Sequence, residues 1–217
     1  MDQTLHRIWG VLISISIPIL LAVGFIRLLL TPLYIQLEYR LPAFPEDPYG
    51  FNRSERLKYA EKARGYLVSR QGLDPLRTLT FPGGENLFNE RELSHLQDVK
   101  FVLRGAFWAW GGAALILALG GWWGVRAGWR ERLRAALHRG SWLTLGLVAG
   151  VVVLSLLNFQ AFFFKFHRVF FEGDTWLFYT SDTLIRLFPL RFWRDAFLFF
   201  GVLVAGSAGC LAWLTRD

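Results

Sequence analysis

Cysteine is almost missing from this chain of 217 residues. The single one, Cys210, rules out an intramolecular disulfide, so no loop is stapled. It lies near the end of the last apolar stretch, where a packed structural thiol is expected rather than a nucleophile. A glycine-rich phosphate loop, an H-E-x-x-H helix and a G-x-S-x-G elbow are also absent, which removes the usual signatures of phosphate-loop NTPases, zinc peptidases and serine hydrolases. Charge is missing where the chain is most apolar. Residues 8–26, 105–125, 140–164 and 196–215 contain no ionisable acid, base or imidazole. Only Arg27 and Arg104 come close, whereas a coupled ion transporter usually carries ionisable groups at the membrane midplane.

What is abundant is apolar surface. The chain is 53% hydrophobic, with a mean hydropathy of +0.33. The four uncharged stretches are 19 to 25 residues long, and a membrane crossing takes about 20. The expectation is an all-α membrane protein of four transmembrane helices. The first stretch is longer than a signal-peptide core and no small-residue cleavage site follows it, so it reads as an uncleaved helix. The segment between the second and third stretches carries arginine at 126, 130, 132, 134 and 139 against one acid, Glu131. Short basic loops stay cytoplasmic, which puts both termini inside.

The expected organisation is a first transmembrane helix (1–31), an extracytoplasmic cap (32–100), a second helix (101–125) and a basic cytoplasmic loop (126–139). A third helix (140–165), an extracytoplasmic loop with an interfacial helix (166–193) and a fourth helix (194–217) complete it. The net charge of +7 follows from the basic loop and from residues meeting lipid headgroups; it calls for no nucleic acid. The small-x-x-x-small spacings 120/124, 146/150 and 205/209 permit close helix contact.

Pro32, Pro42, Pro45 and Pro48 predict extended or turn structure at the start of the cap, with room for short strands. Ser54 is a candidate N-cap for a helix whose apolar stripe is Leu57, Ala60, Tyr66 and Leu67. Asn89 followed by Glu92 fits a capping box. With no proline or glycine before Gly105, that helix is expected to run into the second transmembrane helix. A short interfacial helix is expected within 183–194, broken at Pro189.

Two of the four histidines, His6 and His138, fall among basic residues on the cytoplasmic side, where a plain polar role suffices. The other two, His95 and His167, share the opposite side. Imidazole titrates near neutrality, so one can take a proton while the other gives one. Arg91, Asp98 and Arg168 flank them, as orienting groups or as salt bridges tying the cap to a helix. The histidines with Glu92, Asp98 or Asp174 could also bind zinc, and haem ligation by two helix-end histidines is conceivable, although neither lies in a ligand-spaced motif.

The segment 88–100, Phe-Asn-Glu-Arg-Glu-Leu-Ser-His-Leu-Gln-Asp-Val-Lys, precedes the second transmembrane helix. Residues 166–171 read Phe-His-Arg-Val-Phe-Phe, followed by Trp176 and by Leu-Ile-Arg-Leu-Phe-Pro at 184–189. In these motifs and in its layout the chain resembles the lipoprotein intramolecular transacylase family. The resemblance implies an enzyme of the bacterial plasma membrane acting on diacylated bacterial lipoproteins among membrane lipids, with no cofactor. It would move the sn-2 acyl chain from the glyceryl ester to the N-terminal cysteine amine, giving a lyso-form lipoprotein. The resemblance implies that His95 and His167 are catalytic and face an aromatic-rich outer site, with Phe166, Phe170 and Trp176 as candidate substrate-contacting residues. Which histidine is base and which is acid stays open. Two other readings use the same residues: a non-catalytic adaptor or transporter subunit, and a metal- or haem-dependent membrane enzyme.

Overall fold

A computed structural model describes residues 3–42 and 44–216. Helices α1 (Gln3–Leu29), α5 (Glu90–Arg126), α6 (Arg130–Leu157) and α9 (Leu190–Leu214) are long and apolar enough to cross a membrane. Shorter helices lie between them in sequence: α2 (Pro32–Glu38), α3 (Arg53–Val68), α4 (Asp74–Arg77), α7 (Phe159–Phe170) and α8 (Thr183–Leu187). The protein is an all-α membrane protein. Where the cap had room for short strands, the described residues hold one isolated antiparallel bridge, Thr80 to Asn86, and Pro32 opens helix α2 rather than extended chain, its missing N–H costing nothing in the first turn.

The chain divides into two units, Met1–Arg27 with Gly105–Leu156 and Phe197–Asp217, and Leu28–Arg104 with Leu157–Ala196. In the first unit, helices meet where side chains are smallest. Pro18 lies inside α1 and has no N–H to offer the Ser14 carbonyl four residues back. Gly140 of α6 packs on that carbonyl; a Cβ there would come within 2.7 Å of it. Gly120 against Ile13 and Gly201 against Val152 are equally tight. A Cβ at Gly146, Gly150 or Gly209 would meet nothing within 4 Å, so only some of the small-residue spacings mark contacts.

Three sequence expectations change here. The arginine-rich segment is mostly helix, because α6 begins at Arg130. Arg, Glu, Leu and Ala are good helix formers, so only residues 127–129 join α5 to α6. The third apolar stretch is interrupted at Asn158, whose side chain leaves the α6 ladder and accepts from Ala161 N at 3.0 Å to cap α7. Cys210 is exposed rather than packed. The buried stripe of α9 runs through Val204, Ala208 and Ala212 at four-residue spacing, and Cys210 lies off it.

The second unit has its own core. Tyr34 and Ile35 of α2 and its C-cap Tyr39 meet Ala60, Ala63 and Tyr66 of α3, with Leu87, Phe88, Leu93, Leu184, Leu187 and Phe192. The cap of α3 is Asn52 rather than Ser54: Asn52 accepts from Glu55 N at 3.0 Å while Glu55 accepts from Asn52 N at 2.9 Å. Several polar groups inside this core are matched. Arg186 forms a buried ion pair with Asp47 at 2.9 Å, and Arg56 donates to the carbonyls of Pro45 and Arg186, each at 2.6 Å. Tyr39 donates to the Leu187 carbonyl at 2.6 Å. Such matching is what makes buried charge tolerable.

Candidate active site

The first turn of α5 is built by a capping box. Asn89 Oδ1 accepts from Glu92 N at 3.0 Å, and Glu92 Oε2 accepts from Asn89 N at 2.8 Å. The other oxygen of Glu92 accepts from Leu184 N at 2.6 Å. One buried carboxylate therefore ties the start of α5 to the start of α8. Thr183 Oγ1 adds a bond to the Leu87 carbonyl. Asp182 accepts from Asn89 Nδ2 at 3.1 Å, Arg91 Nη2 at 3.0 Å and Tyr179 N at 2.8 Å. These bonds hold the segment before α8 beside α5. One turn beyond Arg91, on the same face, sits His95.

His167 comes from the last turn of α7. Phenylalanines at 159, 162, 163, 166 and 170 give this helix an aromatic face at helical spacing, with Lys165 and Arg168 off it. The imidazole rings of His95 and His167 lie 6.0 Å apart between centroids, inclined by 28°. Phe171 touches both, at 4.9 Å from His95 and 5.6 Å from His167. Phe178 lies 5.4 Å from His95, while Phe163 and Trp176 lie 4.1 and 5.2 Å from His167. Trp176 is fixed by its indole N–H donating to the Gly173 carbonyl at 3.1 Å. Gly173 has φ +64°, which glycine adopts without steric cost.

The two imidazoles are wired differently. His167 Nδ1 lies 2.8 Å from the Phe163 carbonyl. A carbonyl only accepts, so Nδ1 carries the proton and Nε2 keeps its lone pair. His95 Nδ1 is buried with no partner. Leaving a donor there unpaired would be costly, so the Nε2–H tautomer is favoured. Both histidines lie before or after the uncharged stretches. Burial, reinforced by the neighbouring His167, holds His95 down to about 4. Burial lowers His167 too, opposed by its bond to the Phe163 carbonyl. Both rings are therefore neutral at pH 7. The pair offers one lone pair and one N–H donor in a largely apolar shell.

A family model described as lipoprotein intramolecular transacylase Lit matches residues 9–193. The chain belongs to the lipoprotein intramolecular transacylase family. It is 30% identical over 177 residues to a protein of Aquifex aeolicus (strain VF5) described only as uncharacterized, covering 82% of this chain and 79% of that one. Its fold matches the solved membrane-integral transacylase of Bacillus cereus with a TM-score of 0.81, at 21% identity and over 98% of this chain and 95% of that one. A variant of the Bacillus cereus protein with a histidine replaced by arginine matches with a TM-score of 0.69, at 18% identity and over 98% and 91% of the two chains.

Of the residues that the family resemblance and the flanking charges brought forward, the structure gathers His95, His167 and Trp176 around one point. Phe166 reaches His167 at 5.9 Å. Phe170 touches Phe166 at 4.9 Å and makes no ring contact with either imidazole. Arg91 turns to Asp182 and lies over Phe178 and Tyr179 rather than bonding a histidine. Asp98 and Arg168 make no hydrogen bond or ion pair among the described residues. The zinc set weighed from the sequence is not gathered: among the described residues no group of three His, Cys, Asp or Glu is placed to hold a metal. Phe163 and Phe171, read from the sequence as part of an aromatic wall, do meet the imidazoles; sequence reading missed Phe178 as an imidazole neighbour, and Asp182 as the residue that joins the two segments. Asp182 had one local signal, its position before a helical Thr-Leu-Ile, where aspartate serves as a cap.

Proposed function

We propose that this transacylase moves the sn-2 acyl chain of a diacylglyceryl lipoprotein to the amine of its own N-terminal cysteine, with His167 as general base and His95 as oxyanion donor. The observation that carries the reading is the opposite wiring of the two buried imidazoles. The substrate amine, with a pKa of about 7.7–8.0, attacks the ester carbonyl. Its nitrogen bonds the carbonyl carbon while His167 Nε2 takes its proton. The negative oxygen of the tetrahedral species accepts from His95 Nε2–H. The carbon–oxygen bond to the glyceryl group then breaks, and the leaving oxygen recovers the proton from His167. An amide and a free glyceryl hydroxyl result, which is the lyso form.

No enzyme nucleophile enters this scheme, in keeping with a lone cysteine remote in sequence from both histidines. Amide formation from an ester runs downhill, so no nucleotide is spent. Amine and ester belong to one molecule, and holding them in reach can supply about 7–11 kcal/mol of the barrier reduction. The aromatic shell would exclude water, which otherwise competes with the amine. The arginines of 126–139 support a cytoplasmic position for that segment and both termini, with the histidine pair on the outer side.

The test is purified protein with a diacylglyceryl lipopeptide bearing a free α-amine. The expected product has unchanged mass and an altered fragmentation pattern, with the acyl chain on nitrogen. An acetylated amine should block the reaction. Full activity in the His95→Ala, His167→Ala double variant would sink the mechanism.

A further inference from the structure

The membrane-helix unit contains a second polar site, far in sequence from His95 and His167. A cavity of about 440 Å³ is lined by His6, Ala127, Gly128, Trp129, Glu131 and Arg132. Arg132 Nη1 lies 2.7 Å from His6 Nδ1, which must accept because a guanidinium only donates. That bond aims the guanidinium across the cavity wall. The His6 ring meets Trp129 edge-on at 4.1 Å, Trp129 lies 5.3 Å from Trp123, and Trp123 lies 5.8 Å from Trp9. Of these rings, His6 and Trp129 line the cavity.

Among the described residues, charge around this cavity is not balanced. Glu131, the one acid lining it, is paired with Arg134 at 3.0 Å. Arg126 lies over Trp122, Arg130 has no partner and Arg132 has only His6, so none of the three meets a carboxylate among the described residues. In the same unit α1 exposes Ile8 and Val11, two and five residues beyond His6, at 50% and 57%, and α5 exposes Val125, the residue before Arg126, at 49%. Unpaired guanidiniums beside bare apolar helix surface match an amphiphile: an anionic head with a hydrocarbon tail.

We propose that this cavity binds the phosphate of one anionic phospholipid, with Arg132 of the cavity wall holding the phosphodiester, the nearby Arg130 adding long-range attraction from outside the wall, and the tails lying along α1. Arginine suits the task because its planar fork pairs two donors with two phosphate oxygens. Basic pockets at helix ends are an established way of holding anionic headgroups. The apolar wall favours a lipid over free phosphate, which would gain nothing from it. The site does not depend on the acyl-transfer reading.

Native mass spectrometry of the full-length protein, extracted from nanodiscs of phosphatidylcholine mixed with phosphatidylglycerol, tests this. One retained phosphatidylglycerol per protein is expected, with phosphatidylcholine lost. The Arg130→Ala, Arg132→Ala double variant should lower retention about tenfold, the equivalent of about 1.4 kcal/mol. Arg130→Ala alone removes no hydrogen bond or ion pair among the described residues and should give a smaller loss at unchanged far-UV helicity. Lys62→Ala, in the other unit, should change nothing. Equal retention of phosphatidylcholine, wild-type retention in the double variant, or an equal drop in Lys62→Ala would overturn the site. Inorganic phosphate displacing phosphatidylglycerol at matched concentration would overturn the lipid assignment.

Discussion

His95 and His167 are the same residue type 6.0 Å apart, yet one is wired to offer an N–H donor and the other a lone pair. The difference comes from a single hydrogen bond, His167 Nδ1 to the Phe163 carbonyl, and from its lack at His95 Nδ1. This predicts unequal tolerance to glutamine. His95→Gln keeps an N–H donor and should retain more activity than His95→Ala. His167→Gln keeps no comparable base and should lose about 10²–10⁴-fold in kcat, as does His167→Ala. Single-turnover assays on the lipopeptide check both. The depressed imidazoles also set a pH response. Above about 6.5 each histidine is neutral whether folded or unfolded, so neither makes stability vary. As pH falls below that, the unfolded chain takes up protons that the folded site refuses, and stability is lost down toward about 4, where His95 protonates. The loss is about 1.4 kcal/mol per pH unit for each fully shifted group. The melting temperature in detergent should fall across this window, and less steeply in His95→Phe.

Among the elements, α5 and the segment leading into α8 are joined by Glu92 and Asp182 rather than by apolar packing alone. Asp182→Ala would release Asn89, Arg91 and the Tyr179 amide together. We expect the Phe178 ring to lose its place against His95, and kcat to fall at least tenfold while far-UV helicity is unchanged. The capping box behind this joint was legible in the sequence, because Asn89 and Glu92 stand at the required spacing before an unbroken helical run. The other partner of Glu92, the Leu184 amide, was not. It lies 92 positions away, and no local rule reports which helix start will be brought to a buried carboxylate. The same limit explains Asn52 and Ser54. Both are good caps, and Glu55 decides in favour of Asn52 only because it stands three residues on. The break at Asn158 was hidden by the apolar residues on either side.

At the scale of the whole molecule, the four membrane helices were readable because hydropathy is averaged over some twenty residues and survives local irregularity. The chemistry was readable only through the family motifs, since the aromatic neighbours Phe163, Phe171 and Phe178 come from two segments that look like ordinary interfacial sequence. Orientation can be tested in a Cys210→Ser background with one new thiol at a time. Lys62→Cys should react with an impermeant maleimide in intact cells, and Ala135→Cys should react only after lysis; the reverse pattern would invert the topology. The imidazole pair has a further consequence. Among the described residues no carboxylate or guanidinium makes a hydrogen bond or ion pair with either ring, so dissolved ions have little to screen there. Acyl transfer to a substrate already bound should be nearly indifferent to ionic strength, whereas the arginine cavity depends on paired charge and should release its lipid as salt rises. Salt alone then separates what the molecule does to its substrate from how it holds its membrane.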